Sequence, residues 1–443
     1  MKLFQNLNFQ DIFLVVHFLL FVVLLGLRDF TGMTFSQISV LGYILSYLFF
    51  ADFKHIVYYS ALVIPMLCGL FLFAILFLFI GMVIKSPTKL NQQQIVFSSI
   101  LCTIELIDYA FFADGNAEIK KSLMYCSFVV TIFYLIFLDN TVIDKKLFVR
   151  LYCYSTVLVL IFVFVSTILQ WGFLHILTGY RIGDVGGYSD LNTKSETQAM
   201  FTLNANSLGY YALYVFSTLL IGVKKLDFNR YIYMLLMLLT IFIGFLSFSR
   251  TFLLLSALLF IISILSDYSF KKIFLSVVIS LFAVIYLSSM LSDISSGFIN
   301  RFNNGEFKSA GGRTELFESY NEYFLDNPQY WLTGTGVAYY KDICKQSNSM
   351  HNGTQQIYIN TGFIGVLTFI AMFIAFKRKY NIHRLSKPYY LPLIGVSIFL
   401  QTLQFLNPTE LMCPIILVAM VLRIGAEDKH RLKYKTYENI NIC

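Results

Sequence analysis

The sequence predicts an all-α polytopic membrane protein of about twelve transmembrane helices (roughly 11–13) with one long external loop. Three observations support this class. Of the 443 residues, 57% are hydrophobic and 13% are charged, whereas a soluble domain carries about 25% charged residues. The mean hydropathy is +0.69. The apolar residues fall in repeated stretches of roughly 16–29 residues, and about 20 helical residues cross the hydrocarbon core of a bilayer.

We expect the whole chain, 1–443, to form a single integral membrane domain. No small-residue cleavage site follows the first apolar stretch, so we expect a retained span and not a removed signal peptide. The predicted spans are 12–27, 35–50, 57–84, 94–112, 122–138, 150–172, 205–223, 231–247, 252–267, 273–291, 355–376, 389–406 and 409–424.

The stretch 94–112 leaves two alternatives open because it contains Glu105 and Asp108. An aspartate in the middle of a bilayer costs roughly 2.5–3.5 kcal/mol. If the stretch lies at the membrane interface, about twelve spans cross and both termini are cytoplasmic. If it crosses, about thirteen spans do so and the N-terminus is external. We favour the interfacial alternative.

The basic connections between spans predict the orientation, because Lys and Arg collect in cytoplasmic loops. These connections are 144–150, 224–230, 267–272, 377–387 and the stretch 429–435. The tail, 425–443, then lies in the cytoplasm. The external side receives the loops 173–204 and 292–354 and the turn 247–251. The net charge of +8 therefore reflects topology, and we expect no nucleic-acid partner.

The long external loop, 292–354, has more acidic than basic residues, so it is not a basic patch for anionic lipid. Its segment 313–325 spaces four apolar or aromatic residues on one helical face. These residues are Leu316, Phe317, Tyr320 and Phe324. Pro328 cannot continue that helix. We expect an amphipathic helix on the outer membrane surface, followed by a flexible turn where 334–336 reads Gly-Thr-Gly.

Arginines on the external side are candidate contacts for an anionic substrate. Arg250 lies in a hairpin, "SFSRT", that is too short to form a solvated loop. An arginine this close to hydrocarbon either snorkels as an interfacial anchor or binds an anion such as phosphate. Arg313 follows two glycines, and Arg301 and Gly312 fit an Arg-x10-Gly spacing. Both arginines are either solvated loop residues or phosphate contacts.

His351 is a candidate general base, since a neutral imidazole can accept a proton from a sugar hydroxyl. The alternative is a surface histidine that caps or precedes the helix starting near Gln355. Asn352 follows it and begins an Asn-Gly-Thr glycosylation pattern, which we discount. In the preceding external loop, Arg181 is a further candidate anion contact. Asn206 either belongs to the same site or simply starts the next span.

Several familiar catalytic patterns are missing from the sequence. It has no Asp-x-Asp, no G-x-x-x-x-G-K-[ST] and no G-x-S-x-G. It also has no Cys-x-x-Cys or Cys/His cluster, so we expect no metal and no cofactor. What remains is a set of cations and one base on the outer face of a membrane protein. That set suits a reaction whose leaving group is a membrane-embedded phosphate or pyrophosphate.

The order of these motifs resembles a known family. The "SRT" hairpin is followed by the external loop with "GGRTELFESYNEYFLDNPQYWLTGTG", and then by "HN" just before the span "YINTGFIG". This order is similar to that of the bacterial O-antigen polymerase/O-antigen ligase superfamily of membrane glycosyltransferases. The resemblance covers roughly residues 200–375. The N-terminal third resembles the family only in having hydrophobic spans.

The resemblance implies an enzyme of about twelve spans that acts on the outer face of the bacterial cytoplasmic membrane. It implies a donor linked to undecaprenyl pyrophosphate, with Arg250 and Arg313 holding the pyrophosphate. His351 would deprotonate the acceptor hydroxyl, and Asn352 would orient the base or the acceptor. Further substrate contacts are implied for Arg181, Asn206 and Arg301. The sequence departs from the family pattern at Asn192, where a glycine would repeat the Arg-x10-Gly spacing after Arg181.

We expect a polymerase that extends repeat units into a surface polysaccharide, without a metal, so that activity survives chelation. Its mixed-charge, Tyr/Phe-rich external loops favour a sugar acceptor. One alternative is a ligase that moves the finished polymer to lipid A–core. Another is a flippase or transporter for the same lipid-linked glycan, which should carry ionisable residues in several spans. Expected partners are the lipid-linked glycans, membrane lipids, a flippase and a chain-length regulator. The product class, O-antigen or capsule or exopolysaccharide, stays open.

Overall fold

The computed structural model of the chain describes most of the predicted spans. It covers residues 8–31, 33, 37–69, 74–112, 119–139, 143–171, 205–247, 249–267, 313–346, 350–382, 385–402, 406 and 414–440. All regular secondary structure in these residues is helical, which confirms the all-α part of the predicted class; the number of spans and the external loop stay predictions. Within them, five helices are long and apolar enough to cross a membrane: Phe9–Leu27, Gln92–Phe112, Ile119–Ile136, Lys145–Leu169 and Gly353–Lys379.

The helices of more than one turn are numbered here in chain order. They are α1 (Phe9–Thr31), α2 (Gln37–Phe50), α3 (Phe53–Val63), α4 (Ala74–Lys85), α5 (Gln92–Phe112), α6 (Ile119–Ile136), α7 (Lys145–Trp171), α8 (Ala205–Leu219), α9 (Arg230–Leu246), α10 (Arg250–Asp267), α11 (Arg313–Asp326), α12 (Gly353–Lys379), α13 (Leu391–Phe399) and α14 (Pro414–Ile440). A 3-10 turn, Leu400–Thr402, extends α13. Buried apolar side chains from most of these helices form one continuous core.

The predicted cytoplasmic connections meet at one end of the bundle, called here the basic end. Lys146 pairs with Asp227 at 3.1 Å, and Lys145 pairs with Glu427 at 2.8 Å. These pairs join the start of α7 to the connection before α9 and to α14. Lys379, at the end of α12, donates to the carbonyl of Phe137 at 3.0 Å. The connections 144–150, 224–230 and 377–387 therefore share one end, as the orientation argument requires.

Arg423 on α14 is a buried cation that joins α14 to the ends of α6 and α12 at the basic end. Its side chain is only 1% exposed. The guanidinium donates to the carbonyls of Ile136 at 3.3 Å and Leu138 at 2.7 Å. It also lies over the ring of Tyr380, 4.3 Å from the centroid. A buried charge is tolerated when it is hydrogen-bonded and stacked in this way.

The stretch 57–84, predicted as one span, is not one continuous helix. Its chain is broken by the 3-10 turn Ile64–Gly69, in which Pro65 cannot continue α3. The Lys85 ammonium at the end of α4 donates to the carbonyls of Phe49 at 2.9 Å and Ala51 at 2.6 Å. Ala51 lies just before α3, so the end of α4 lies beside the start of α3. The stretch is a hairpin of two short helices.

Helix α5 covers the stretch 94–112 and runs between both ends of the bundle, which favours the alternative in which this stretch crosses the membrane. Near its start, the Gln94 amide donates to the carbonyl of Tyr134 at 2.8 Å, close to the basic end. Near its end, Glu105 accepts from the Ser122 hydroxyl at 2.8 Å. The helix thus lies antiparallel to α6 along its length. Glu105 and Asp108 are each 1% exposed, so they face protein and not lipid.

We predict that Arg423→Ala destabilises the protein. The substitution removes both hydrogen bonds and leaves the Ile136 carbonyl without its side-chain donor, and a buried group left in this way costs about 1–3 kcal/mol. The Leu138 carbonyl keeps the Tyr380 hydroxyl as a donor at 3.1 Å. The thermal unfolding midpoint in detergent should fall accordingly. Arg378→Ala is the matched control, because Arg378 lies at the same end and is exposed. Equal midpoints for both variants would contradict the anchoring role.

Candidate functional site

His351 and Asn352 lie directly before α12, at the end of the bundle opposite the basic end. The side chain of Asn352 caps the helix by accepting from the backbone N–H of Gln355 at 2.9 Å. His351 is the residue before the cap and is half-buried, next to the fully buried Met350. The capping role therefore belongs to Asn352. His351 lies at the helix entrance, directly before the cap.

The start of α10, where Arg250 is the first residue, is joined to the start of α12 by side-chain contacts. The Thr251 and Thr402 hydroxyl oxygens lie 3.4 Å apart. The Thr354 hydroxyl donates to the side-chain carbonyl oxygen of Gln401 at 3.1 Å. Since Gln401 and Thr402 belong to the same turn, these contacts connect the His351 and Arg250 segments through α13. The structure describes the Arg250 position by its backbone alone.

Arg313, likewise described by its backbone, is the first residue of α11. That helix is fastened to the start of α12 one turn later. The Gln355 amide donates to the carbonyl of Phe317 at 2.7 Å and to Asn321 at 3.1 Å. Tyr358 also donates to Asn321. The first turn of α11 therefore lies beside the Asn352 cap.

Asn206 is the second residue of α8 and is half-buried. Gly209, one turn further along, packs against Ser249 and Phe252. Asn206 therefore lies at a helix start beside the Arg250 segment, a position that both alternatives allow. The other two predicted contacts, Arg181 and Arg301, lie outside the described residues.

The amphipathic helix predicted over 313–325 is present as α11, but part of its apolar face packs on the protein. Tyr320 is fully buried in a small core with Tyr340, Cys344, Met350 and Ile359. Phe317 stays 39% exposed.

Burial raises the pKa of the Cys344 thiol to about 12, although a hydrogen bond with Thr335 opposes the shift. Cys344 is therefore a packing residue and not a nucleophile at neutral pH.

The flexible turn expected at 334–336 is wrong, because residues 331–338 cross a break in α12. We call these residues the crossing segment. The break is at Gly362, whose φ of 58° and ψ of −164° are not helical. The Thr335 and Gly336 amides donate to the carbonyls of Ile359 at 2.9 Å and Asn360 at 3.1 Å. The crossing segment is thus hydrogen-bonded to the helix and not free.

The crossing segment also supplies the acceptors that the break requires. The Phe363 amide donates to the carbonyl of Trp331 at 2.8 Å, and the Ile364 amide donates to that of Leu332 at 3.1 Å. In an unbroken helix these two amides would bond to Ile359 and Asn360. The segment therefore replaces both missing helical hydrogen bonds, and each unsatisfied buried group would otherwise cost about 1–3 kcal/mol.

Glu105 holds the other edge of the crossing segment and was not predicted as a site residue. Its carboxylate accepts from the amides of Val337 at 2.6 Å and Ala338 at 3.3 Å, in addition to the Ser122 hydroxyl. Asp108, one turn later, lies against Gly336. The sequence contained an indication of both residues, because a carboxylate in an apolar span needs a hydrogen-bonding partner. That partner, the crossing segment, could not be identified because it lies more than 200 positions away in the sequence.

The end of the bundle opposite the basic end thus combines hydroxyl and amide groups with a histidine and the starts of two helices that begin with arginine. Such groups can bind sugar hydroxyls and an anion. Across the described ranges, no three His, Cys, Asp or Glu side chains cluster closely enough to hold a metal ion.

Comparison with known proteins gives one family match. Residues 235–370 match the family model described as O-antigen ligase. The matched range runs from α9 into α12 and includes Arg250, Arg301, Arg313, His351 and Asn352. No curated protein matches the chain.

We predict that cysteines at Thr354 and Gln401 form a disulfide on mild oxidation, because their side-chain oxygens are in hydrogen-bond contact. The pair Lys377→Cys with Gln401→Cys is the control, since Lys377 lies at the far end of α12. Both pairs are placed in a chain whose seven native cysteines are replaced. Gel mobility of protease-cut protein reports the bond. Equal yields for the two pairs would contradict the arrangement of α12 and α13.

Proposed function

We propose that the chain, whose residues 235–370 match the family model described as O-antigen ligase, is a polysaccharide polymerase of the O-antigen polymerase/O-antigen ligase superfamily. It transfers a growing glycan from undecaprenyl pyrophosphate to the next lipid-linked repeat unit. The observation that carries this proposal is the contact between the His351 and Arg250 segments through Gln401 and Thr402. A base and a cation for the leaving group must lie at one site.

The reaction is a single displacement at the anomeric carbon of the donor sugar. The acceptor hydroxyl oxygen forms the new glycosidic bond while the bond to the pyrophosphate oxygen breaks. The acceptor's proton goes to His351, and undecaprenyl pyrophosphate leaves. The anomeric centre is inverted. General-base catalysis of this kind contributes about 10²–10⁴-fold.

Arg250 and Arg313 stabilise the charge that develops on the pyrophosphate, a role that a metal ion has in other transferases. Arginine suits this task because its planar guanidinium binds phosphate oxygens through two parallel hydrogen bonds. Asn352 fixes the helix entrance and with it the direction of His351. Asn206, Arg181 and Arg301 complete the substrate contacts on the same side.

The active site faces the outside of the cytoplasmic membrane. This orientation follows from the basic end, whose lysines and arginines favour the cytoplasm. The hairpin of α3 and α4 does not cross, whereas α5 does. With the predicted span 273–291, which lies outside the described residues, about twelve spans result and both termini are cytoplasmic. A flippase that delivers lipid-linked units and a chain-length regulator are the expected partners.

The surface glycan of a strain lacking the gene tests the proposal against its alternatives. Loss of a polymerase leaves single repeat units on the surface or the carrier. Long polymer stranded on the carrier indicates a ligase, and units trapped inside indicate a flippase; either result would contradict the proposal.

We predict that His351→Ala, expressed in the same strain, lowers polymer formation by about 10²–10⁴-fold. His383→Ala is the control, since this histidine lies in the predicted cytoplasmic connection 377–387. Immunoblots of membranes verify that both variants insert. Polymer at the normal level from His351→Ala would place the base elsewhere.

We also predict that Arg250→Lys lowers polymer formation by about 10²-fold, because an ammonium group does not reproduce the two-point contact of a guanidinium. Arg378→Lys at the basic end is the control and should keep normal activity. If Arg250→Lys were fully active, a bidentate contact from this arginine to the leaving group would be excluded.

A further inference from the structure

The break in α12 divides the helix into two parts that need not point in the same direction. The outer part, 353–361, carries the Asn352 cap and the preceding His351. The inner part, 363–379, continues to the basic end. In a helix that breaks this way, the relative direction of the two parts depends on whatever satisfies the freed backbone groups. Here the crossing segment satisfies them.

The crossing segment has a second attachment to the rest of the bundle, and this attachment is Glu105. One carboxylate oxygen accepts from the Val337 amide at 2.6 Å. The other accepts from the Ala338 amide at 3.3 Å and from the Ser122 hydroxyl at 2.8 Å. Glu105 belongs to α5 and Ser122 to α6. The crossing segment is therefore hydrogen-bonded to α5 and, through Glu105, joined to α6, and both helices lie outside the matched range 235–370.

We infer that Glu105 is a positioning residue for His351: it fixes the crossing segment, which fixes the break at Gly362 and so the direction of the outer part of α12. The catalytic side of this inference rests on the proposed function. The structural side does not, because it concerns only where the helix entrance lies.

The length of the outer part makes the position of His351 sensitive to this attachment. Nine residues of helix extend about 13.5 Å. A change of about 20° in direction, the size of an ordinary kink, moves the helix entrance by about 5 Å. A general base must lie about 2.6–3.2 Å from the atom that donates its proton. A misplacement of only about 1 Å can cost about 10²-fold in rate.

Glu105→Gln is the informative substitution because it keeps the size of the side chain. A carboxylate offers acceptors to the amides and to the hydroxyl at the same time. In glutamine an NH₂ group replaces one carboxylate oxygen, and this NH₂ donor would face an amide N–H of the crossing segment, which is also a donor. At least one of the three hydrogen bonds is therefore lost. Gln94→Leu is the matched control, since it removes a buried hydrogen bond from the same helix at the basic end.

The experiment combines each substitution with the cysteine pair Thr354→Cys and Gln401→Cys, which reports where the outer part of α12 lies. We expect Glu105→Gln to slow disulfide formation at least about tenfold, and Gln94→Leu to leave it unchanged. In the chain with native cysteines, Glu105→Gln should lower kcat with little change in KM. A purely structural defect would lower the amount of protein in the membrane. It would also slow disulfide formation equally in Glu105→Gln and in Gln94→Leu.

Unchanged disulfide formation in Glu105→Gln overturns the inference, whatever happens to activity. If Glu105→Gln does not accumulate in membranes, Ser122→Ala takes its place with the same expected direction and a smaller effect. A slowed cross-link in a chain whose deletion phenotype is not that of a polymerase supports the positioning role and contradicts the proposed function. Failure of the positioning inference can therefore be distinguished from failure of the proposed function.

Discussion

The hydrogen bonding of the backbone around Gly362 is the constraint on which the candidate site depends. Inside a membrane, each N–H and C=O must find a partner in the protein. At the break in α12, residues 331–338 supply the two donors and two acceptors that the helix lacks. The same hydrogen bonds bring a segment of the long loop into the bundle and set where the helix that follows His351 begins.

The polar and charged residues are divided between the two ends of the bundle by different means. At the basic end, Arg423 and paired lysines such as Lys145 join neighbouring helices and orient the protein. At the opposite end, neutral groups such as Thr354 and Gln401 make contacts between helices, and the buried carboxylate of Glu105 joins α5 to the crossing segment.

Most of the helices could be predicted from hydrophobic stretches, and α11 from its periodicity. The hairpin at Pro65 was missed because hydropathy gives the length of an apolar stretch and not its path. Glu105 was misjudged because a charge appears costly until its partner is known, and Val337 is far away in sequence. The motif order around His351 predicted candidate residues, whereas the contacts between their segments run through Gln401 and Thr402, which no motif marks.

The central claim is that this end of the bundle forms glycosidic bonds with His351 as the base. The most direct measurement uses purified protein in liposomes, with lipid-linked repeat units extracted from the deletion strain and EDTA present. If His351 is the base, the wild-type protein forms polymer and releases one undecaprenyl pyrophosphate per bond, and His351→Ala lowers both products by about 10²–10⁴-fold. Bond formation by His351→Ala at the wild-type rate, or release of carrier without polymer, would contradict this claim.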